Sequence, residues 1–327
     1  MQDIEVSVVI PTYNRSNLLR ETLESLFAQT YSANKFEIIV CDDNSSDDTE
    51  EVVKGLMQNS QHNLRYIKVK SKIKGPGKVR NAGINHSVGK MIGFTDDDCV
   101  VSKNWIETAV DCFKKHKEIC GVSGTVTTVG DCKNKKFTIA RRVDILSDTG
   151  SYVTSTTFYK KDILLEVGLF DTDMRYWEDI ELGWRVKKKG PILFEPSIHV
   201  NHKIHCASII SYLNHLKHIE YWVLMYSKHP EHMKDDKLIL GHFFNKSPIY
   251  IISAFLCFSA FLLESKLFVL FSIITLITYL WAHVFVDKNL KKYPRRLILL
   301  PRYSITDIVK LTYSLKASIK YKCLVLF

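Results

Sequence analysis

The sequence contains eight cysteines but no CxxC pair, and the cysteines are scattered along the chain. Ligands paired at short spacing are typical of zinc sites, so their absence argues against a structural zinc centre. Several cysteines lie in apolar segments, where a reduced thiol behaves as a small hydrophobic side chain. We therefore expect reduced cysteines in a cytosolic protein and no disulfide framework. The eight are Cys41, Cys99, Cys112, Cys120, Cys132, Cys206, Cys257 and Cys323.

Several common functional motifs are also missing. No Lys-Ser or Lys-Thr follows the glycines of Gly75-Pro76-Gly77, which excludes a Walker sequence, and no GxGxxG follows the first strand, which excludes the dinucleotide fingerprint. Nucleic acid is disfavoured as a partner because there is no aromatic-basic stripe and the basic residues concentrate around apolar C-terminal segments. Met1 to Asp3 run almost directly into a strand, so we expect no secretory signal.

The charge balance is the unusual feature of the composition. The 327 residues carry a net charge of +10, whereas 46% hydrophobic and 24% charged residues are ordinary for a folded protein. A chain of this length can bury a full core and has room for one large domain and an appendage. The positive charge fits nucleic acid, an anionic membrane surface or a phosphate-bearing substrate, and its location decides among them.

The functional interpretation depends on the acid triplet Asp96-Asp97-Asp98. It ends the apolar run Met91 to Thr95, which has strand character, and open α/β sheets bind ligands where their strands end. Acids two positions apart can face one divalent ion, and Mg²⁺ commonly takes one or two protein carboxylates together with water and phosphate oxygens. A solvated acidic turn or a helix N-cap is the alternative for an isolated triplet.

Apolar runs and amphipathic segments alternate along the first half of the chain. The predicted strands are Val6 to Ile10, Phe36 to Cys41, Leu64 to Val69 and the run before the acid triplet. Helical patterns separate them, and the connections are too long for hairpins, which predicts an α/β fold with a mostly parallel sheet. Asp42 and Asp43 end the second strand, where they either contact a nucleotide or serve as turn and N-cap residues.

Four motifs, in this order and spacing, resemble those of the family 2 glycosyltransferases of GT-A fold. The resemblance covers about residues 4 to 205 and implies a Rossmann-like GT-A domain. It also implies that a nucleotide-diphosphate sugar is the donor and that a divalent metal, Mg²⁺ or Mn²⁺, bridges protein and diphosphate. The motifs are Pro11-Thr12-Tyr13-Asn14-Arg15, Asp42-Asp43-Asn44-Ser45 with Asp48-Thr49, Gly77-Lys78-Val79-Arg80-Asn81-Ala82-Gly83, and Asp96-Asp97-Asp98.

The resemblance implies a role for each motif. In such enzymes the loop after the first strand and the acid after the second hold the base and ribose, and a DxD pair lies at the ribose and the metal. Lys78 is an alternative to Arg80 beside the donor phosphates. The residues implied in donor binding are Pro11, Thr12, Tyr13, Arg15, Asp43, Arg80, Asp96 and Asp97, and Asp98 is implied as a metal ligand.

The segment Trp177-Glu178-Asp179 opens a predicted helix that has acids in its first turn and one apolar side. It resembles the Glu-Asp motif of the same family, which implies Asp179 as the catalytic base and Trp177 and Glu178 on the acceptor side. A carboxylate with a reference pKa of about 3.9 is ionised at neutral pH and can accept a proton from a hydroxyl. Trp stands where glycine is frequent, and we expect this to affect acceptor choice more than chemistry.

Three histidines follow the predicted strand Pro191 to Glu195 at intervals of three. In an extended segment, His199, His202 and His205 do not share one face as they would on a helix, so the spacing alone defines no metal site. The family often has one histidine here, near the diphosphate or metal. The resemblance favours His202 in that position.

The C-terminal third is apolar and basic. Ile249 to Leu263 and Leu267 to Val286 carry almost no charge, so we predict two transmembrane helices, the alternative being a pair of core helices. Lysines and arginines on both flanks place the flanks and the catalytic domain on the cytoplasmic side of the cell membrane. The predicted parts are a catalytic domain 1–205, an amphipathic helical link 206–247, a transmembrane pair 248–287 and a basic interfacial tail 288–327 that contacts membrane lipids.

These observations predict an inverting, metal-dependent glycosyltransferase of surface polysaccharide or glycoconjugate synthesis. Its acceptor is predicted to be a hydroxyl of a lipid-linked or membrane-associated glycan. A polyprenyl-phosphate sugar transferase and a non-catalytic nucleotide-sugar-binding membrane scaffold are the alternatives. The donor base, the sugar, the linkage and the oligomeric state stay open, and two spans favour single additions over processive synthesis.

Overall fold

The computed structural model describes residues 3–70, 75–132, 138–235 and 300–327, together with residues 272, 277 and 279. They belong to two compact units, residues 1–207 and residues 208–327. Every residue predicted for the donor, metal and acceptor sites lies in the first unit.

The first unit is a mixed α/β domain. Its strands are β1 (Val6–Thr12), β2 (Phe36–Asp42), β3 (Asn63–Lys68), β4 (Met91–Phe94), β5 (Cys99–Val101), β6 (Gly121–Val129), β7 (Thr138–Arg141), β8 (Thr157–Lys160), β9 (Ile192–Lys203) and β10 (His205–Ser208). Its helices are α1 (Ser16–Phe27), α2 (Thr49–Asn59), α3 (Pro76–His86), α4 (Trp105–Lys115), α5 (Lys161–Glu166) and α6 (Glu178–Lys187).

Eight of these strands form one sheet in the order β3-β2-β1-β4-β8-β6-β9-β5, and β10 pairs with β7. The first four strands in sequence pair in parallel, as the alternation of strands and helices predicts. Beyond β4 the sheet is mixed, because β8 is antiparallel to both neighbours and β5 is antiparallel to β9, whereas β6 and β9 are parallel. The sheet is therefore rich in parallel pairs, mainly in its first half.

Helices cover both faces of the sheet, and side chains alternate between the faces along each strand. Val8 and Ile10 of β1 belong to one buried cluster with residues of α1 and α4. Val9 belongs to a second cluster with residues of α3 and α6. Burial on both faces explains why β1 reads as an apolar run, and it fixes the strand ends that carry the site.

Gly83 is the point of closest approach between α3 and the sheet. A Cβ atom at Gly83 would lie 2.5 Å from Cγ1 of Val9 and 2.8 Å from Sγ of Cys41, closer than real Cβ contacts allow. We expect Gly83→Ala to lower the free energy of unfolding by about 1–3 kcal/mol, measured by urea denaturation. Gly55→Ala in α2 is the matched control, because a Cβ there meets nothing within 4 Å, and it should stabilise by up to about 1 kcal/mol. Equal effects at the two positions would contradict the packing argument.

One disulfide corrects the expectation that all cysteines are reduced. Cys132 and Cys206 are bonded, with 5.8 Å between their Cα atoms and 74 residues between them in sequence. The β6–β9 register brings them together, because Val129 lies opposite Lys203 and each cysteine follows three residues later. Such a register cannot be read from cysteine spacing. Five other cysteines are free thiols, and Cys257 lies outside the described residues.

The second unit is helical over its described residues. Within the predicted helical link 206–247 lie two helices, α7 (Ile209–His215) and α8 (Ile219–Lys228), joined by a 3-10 turn (Leu216–His218). A short helix (His232–Asp235) follows, and a 22-residue helix (Leu300–Tyr321) lies near the end of the chain.

The prediction of a multi-pass membrane location is contradicted. Across the described ranges, no helix is both long enough and apolar enough to cross a membrane. The helix Leu300–Tyr321 has the length, but Asp307, Lys310, Lys316 and Lys320 interrupt its apolar sequence. The predicted pair of transmembrane helices, 248–287, lies outside the described residues apart from three isolated positions.

Candidate active site

The carboxyl ends of β1, β2 and β4 bring the predicted site residues to one edge of the sheet. These strands are parallel neighbours, so the residues that follow them meet: Thr12 ends β1, Asp42 ends β2, and the acid triplet follows β4. The Thr12 carbonyl accepts a hydrogen bond from the Asp43 backbone N–H at 2.9 Å, which joins the first two loops.

Asp97 is a buried acid that holds the loop after β1. One carboxylate oxygen accepts a hydrogen bond from the Thr12 hydroxyl at 2.8 Å, and the other forms an ion pair with Arg15 at 2.9 Å. Burial raises the pKa of Asp97 to about 6, although Arg15 and Thr12 oppose the rise. Three residues predicted for donor binding therefore bind one another and shape the loop after β1.

Asp98 is surrounded by cationic and imidazole groups. Its carboxylate pairs with Arg15 at 3.0 Å and lies 3.2 Å from Nε2 of His205 and 3.5 Å from Nε2 of His202. Burial alone would raise the pKa of Asp98, but the His205 hydrogen bond and the charges of His202 and Arg15 outweigh it, so the net shift is downward. Asp98 is thus held as a carboxylate, the form that binds a cation.

Four potential ligand atoms form a compact group beside the loop after β1. Atoms from Asp96, Asp98, Cys99 and His202 all lie within 4.8 Å of one another. Asp98 and His202 were predicted, whereas Cys99 was not. It joins the group because Cys99 lies directly opposite His202 in the β5–β9 ladder, and its Sγ is 3.9 Å from a carboxylate oxygen of Asp98. The oxygen and nitrogen donors of this group suit a divalent cation.

The three histidines have different surroundings. His199 faces away from the acids, with Nδ1 2.9 Å from the Thr125 hydroxyl and Nε2 3.2 Å from Asn201. His202 and His205 both approach Asp98. Nε2 of His205 lies 3.2 Å from the Asp98 carboxylate and 3.1 Å from an Arg15 nitrogen, so the tautomer of His205 decides whether Nε2 donates to Asp98 or accepts from Arg15.

Arg80 joins the acid triplet to the Glu-Asp motif. Its guanidinium is buried and pairs with Asp96 at 2.7 Å and with Glu178 at 2.8 Å, although these acids lie 16 and 98 residues away in sequence. The sequence prediction placed Arg80 beside the donor. In the structure its two terminal nitrogens bind carboxylates, so its contacts position other site residues, and contact with the donor stays a prediction.

Glu178 and Asp179 begin α6 at the same edge. Trp177 precedes them in the left-handed region with φ of 66°, which turns the chain into the helix. The Asp179 carboxylate accepts hydrogen bonds from the backbone N–H groups of Ile180 at 2.9 Å and Thr154 at 3.4 Å. Glu178 is buried, whereas Asp179 is half-buried. Burial raises the pKa of both acids, and Arg80 opposes that rise.

Two neighbouring acids at the end of β2 differ in burial. Asp42 is buried and accepts hydrogen bonds from the Ser45 backbone and hydroxyl groups and from the Tyr66 hydroxyl. Asp43, the predicted donor residue, is only half-buried, and Tyr13 is 44% exposed. Pro11 ends the apolar part of β1 and is half-buried. Asp42 therefore shapes the loop, which leaves Asp43 and Tyr13 nearer the surface.

Comparisons with known proteins show which proteins this chain resembles. Residues 7–167 match the family model described as "Glycosyl transferase family 2". The "Minor teichoic acid biosynthesis protein GgaA" of Bacillus subtilis (strain 168) is 30% identical over 184 residues, 53% of this chain and 41% of that protein. The "Poly(ribitol-phosphate) beta-N-acetylglucosaminyltransferase TarS" of Staphylococcus aureus (strain Mu50) is 27% identical over 184 residues, 54% of this chain and 30% of that protein. The chain spans less than half the length of these two relatives.

Solved structures show the same fold. TarS residues 1–349 of S. aureus in complex with UDP-GlcNAc match with a TM-score of 0.54 and 21% identity over 68% of this chain and 66% of that one. The mannosyltransferase PcManGT from Pyrobaculum calidifontis, in complex with GDP-Man and Mn²⁺, matches with a TM-score of 0.58 and 19% identity over 97% of this chain and 87% of that one. The fold is thus the mixed α/β fold of GT-A glycosyltransferases. Within the first unit, the part that matches the family 2 glycosyltransferase model is residues 7–167.

Proposed function

We propose that this protein is an inverting glycosyltransferase that moves a sugar from a nucleotide-diphosphate donor to an acceptor hydroxyl. The observation that carries the proposal is the juxtaposition made by Arg80, which ties Asp96 of the acid triplet to Glu178 beside Asp179. A donor held at the triplet then has a carboxylate base within the same cluster. A site that only bound the donor would not need the neighbouring acids Glu178 and Asp179.

Asp179 is the proposed base. It is half-buried, whereas Glu178 is buried against Arg80, so Asp179 is the acid of the pair that an acceptor hydroxyl can reach. The N–H groups of Ile180 and Thr154 hold its carboxylate in place. Attack by the hydroxyl on the anomeric carbon breaks the bond to the diphosphate, and Asp179 takes the hydroxyl proton. A single base on the side of attack produces inversion of the anomeric centre.

The donor is proposed to lie between the loops after β1 and β2. Pro11, Thr12 and Tyr13 line one side, and Asp43 lies on the other as an acceptor of hydrogen bonds from the base or ribose. Two solved structures of this fold carry UDP-GlcNAc and GDP-Man, which supports a nucleotide-sugar donor without selecting its base.

A divalent cation, Mg²⁺ or Mn²⁺, is proposed at Asp98 and His202, with Asp96 beside it. The fit rests on the ligand atoms within 4.8 Å of one another and on the ionised state of Asp98. When bound, such an ion supplies positive charge that stabilises the departing diphosphate. Arg15, already paired with Asp98, supplies further positive charge at the same place.

Release of nucleoside diphosphate tests the proposal. The full chain is incubated with a panel of nucleotide sugars and Mn²⁺ or Mg²⁺, with and without acceptor glycans. Metal-dependent release from one donor, increased by an acceptor, supports the transferase and names the donor. Donor binding without release under any condition would instead favour a nucleotide-sugar-binding scaffold.

Asp98→Asn should weaken metal binding while leaving the fold intact. Asparagine keeps the shape but removes the charge that attracts the cation, so the Mn²⁺ concentration for half-maximal activity should rise at least roughly tenfold. Mn²⁺ titration followed by electron paramagnetic resonance measures binding without turnover. Asp111→Asn on the exposed side of α4 is the control and should change neither quantity. An unchanged Mn²⁺ affinity in Asp98→Asn would remove Asp98 from the metal site.

The acceptor class is proposed from the relatives. GgaA is named for minor teichoic acid biosynthesis and TarS for poly(ribitol-phosphate), and the latter is an anionic, phosphate-linked polyol chain. We propose a hydroxyl of such a chain, or of another surface glycan, as the acceptor. The net charge of +10 suits an acidic acceptor.

A further inference from the structure

A cavity of about 660 Å³ opens at the edge of the sheet opposite the candidate active site. Glu5, just before β1, and Met91, the first residue of β4, lie in its wall, whereas the carboxylates of the active site follow the other ends of these strands. At about 3.3 Å per residue, β1 separates the two places by roughly 20 Å. We call this cavity the lysine groove.

Lysines from three separate segments line the lysine groove: Lys90, Lys114, Lys117, Lys160 and Lys161. Among the described residues that line the groove, Glu5 and Asp162 are the acids, and both are engaged. The Glu5 carboxylate accepts hydrogen bonds from Lys35 at 2.9 Å and from the Tyr31 hydroxyl at 2.7 Å. The Asp162 carboxylate accepts one from the backbone N–H of Ile163. The groove therefore has excess positive charge that its own acids do not neutralise.

Two of the lysines are held in place and three are available. Nζ of Lys160 donates to the Lys117 carbonyl at 2.7 Å, and Nζ of Lys161 donates to the Ser87 carbonyl at 2.6 Å. Lys90, Lys114 and Lys117 are exposed, and within the described part of the chain they form no ion pair with an acid. These three ammonium groups can bind an anion without breaking an existing contact.

The wall of the groove between the lysines is apolar. Val110 and Phe113 of α4 and Met91 of β4 form it, and Val88 and Leu165 at its rim are 62% and 51% exposed. A bare inorganic anion gains nothing from such a wall. A ligand that alternates phosphates with a carbon chain would cover the apolar surface and pair with the lysines.

We propose that the lysine groove binds the acceptor chain itself, as a polymer of phosphodiester-linked polyol, at a distance from the reacting hydroxyl. This inference rests on the proposed function, because it concerns that enzyme's acceptor. A single unit cannot occupy two places roughly 20 Å apart, so the groove favours long chains over short ones. Its role is retention of the polymer, not chemistry.

Two matched double variants test the proposal in the full chain. Lys114→Gln with Lys117→Gln removes two groove lysines at the end of α4. The control, Lys103→Gln with Lys115→Gln, removes two exposed lysines that do not line the groove. Lys103 lies just before α4, and Lys115 is the last residue of α4. Binding of fluorescently labelled poly(glycerol phosphate) is measured by anisotropy without donor or metal. The groove variant should bind roughly fivefold more weakly than wild type, and the control variant should match wild type.

Turnover assays separate this proposal from the proposed function. With poly(glycerol phosphate) as acceptor the groove variant should have a raised KM and an unchanged kcat, whereas monomeric glycerol phosphate and donor hydrolysis should show no difference. Equal loss of binding in both double variants, or equal competition by poly-aspartate, would overturn the groove as a phosphodiester site. Polymer binding in a wild-type protein that releases no diphosphate would instead count against the transferase while leaving the groove in place.

Discussion

Asp179→Asn should lower kcat by roughly 10²–10⁴-fold, the range expected for loss of a general base. Asparagine has the same shape and its oxygen still accepts hydrogen bonds from the N–H groups of Ile180 and Thr154. It also removes a charge that raises the pKa of Glu178, so the free energy of unfolding should not fall. Donor binding, measured by calorimetry, should stay within about twofold of wild type, because the loss lies in the chemical step.

The pH dependence of kcat/KM is a second test of the role of Asp179. A base must be ionised, and burial raises the pKa of Asp179 above that of a free aspartate. In wild type, kcat/KM should therefore fall as the pH drops through that raised pKa. The fall should begin at a higher pH than for an exposed aspartate, whose pKa is about 3.9. The residual activity of Asp179→Asn should lack this acid limb. Asp111→Asn, an exposed aspartate on α4, should keep both the rate and the profile of wild type.

The activity that Asp179→Asn retains also distinguishes between reaction classes. A transferase that uses polyprenyl phosphate as acceptor has an ionised nucleophile and needs no base, so Asp179→Asn would keep most of its activity. Full activity of the variant with an acceptor hydroxyl would remove Asp179 from the mechanism. Glu178, which lies beside Arg80, would then be the next acid to replace.

The parallel half of the sheet and the acid cluster were predictable because both depend on local signals. Continuous apolar runs such as that of β1 indicate strands covered on both faces, and acids placed directly after them lie at one edge. The placement of Asp96 to Asp98 at this edge therefore needed only strand ends, whereas their role as a site came from the family resemblance. The antiparallel insertion of β8 between β4 and β6 has no such local signal, because it depends on which long-range partners the strand finds.

Two contacts missing from the sequence interpretation depend on register. Cys99 becomes a potential ligand only because it lies opposite His202 in the β5–β9 ladder. Cys132 reaches Cys206 because β6 and β9 end side by side. A slip of one residue in either ladder would turn these side chains to the other face. Motif spacing predicts which residues belong to the site, but register decides which of them touch.

Arg80 illustrates the difference between membership of a site and a role within it. The motif around Arg80 suggested contact with the donor, whereas burial gave its two terminal nitrogens to Asp96 and Glu178. A buried guanidinium between two carboxylates costs much less than any of the three charges left alone. Its position therefore makes the proposed donor end and the proposed acceptor end of the site depend on one side chain.

Arg80→Met should lower the free energy of unfolding by about 3–5 kcal/mol, because it leaves the buried carboxylate of Glu178 without its partner. Urea denaturation measures this loss. Adding Glu178→Gln should restore part of the stability, since the second change removes the orphaned charge, and the double-mutant cycle isolates the coupling between the two residues. Simple additivity of the two changes would contradict the bridge.

The pH profile separates positioning by Arg80 from mere structural support. Arg80 lowers the pKa of both Glu178 and Asp179, so its removal raises both, and the acid limb of kcat/KM should move to higher pH. Arg185→Met is the matched control, because Arg185 lies on the same helix as Glu178, pairs with Glu181 and donates to the Val167 and Leu169 carbonyls. That variant should also be destabilised but should keep the wild-type profile. If both variants lost stability and neither shifted the limb, Arg80 would support the fold without setting the protonation of the base.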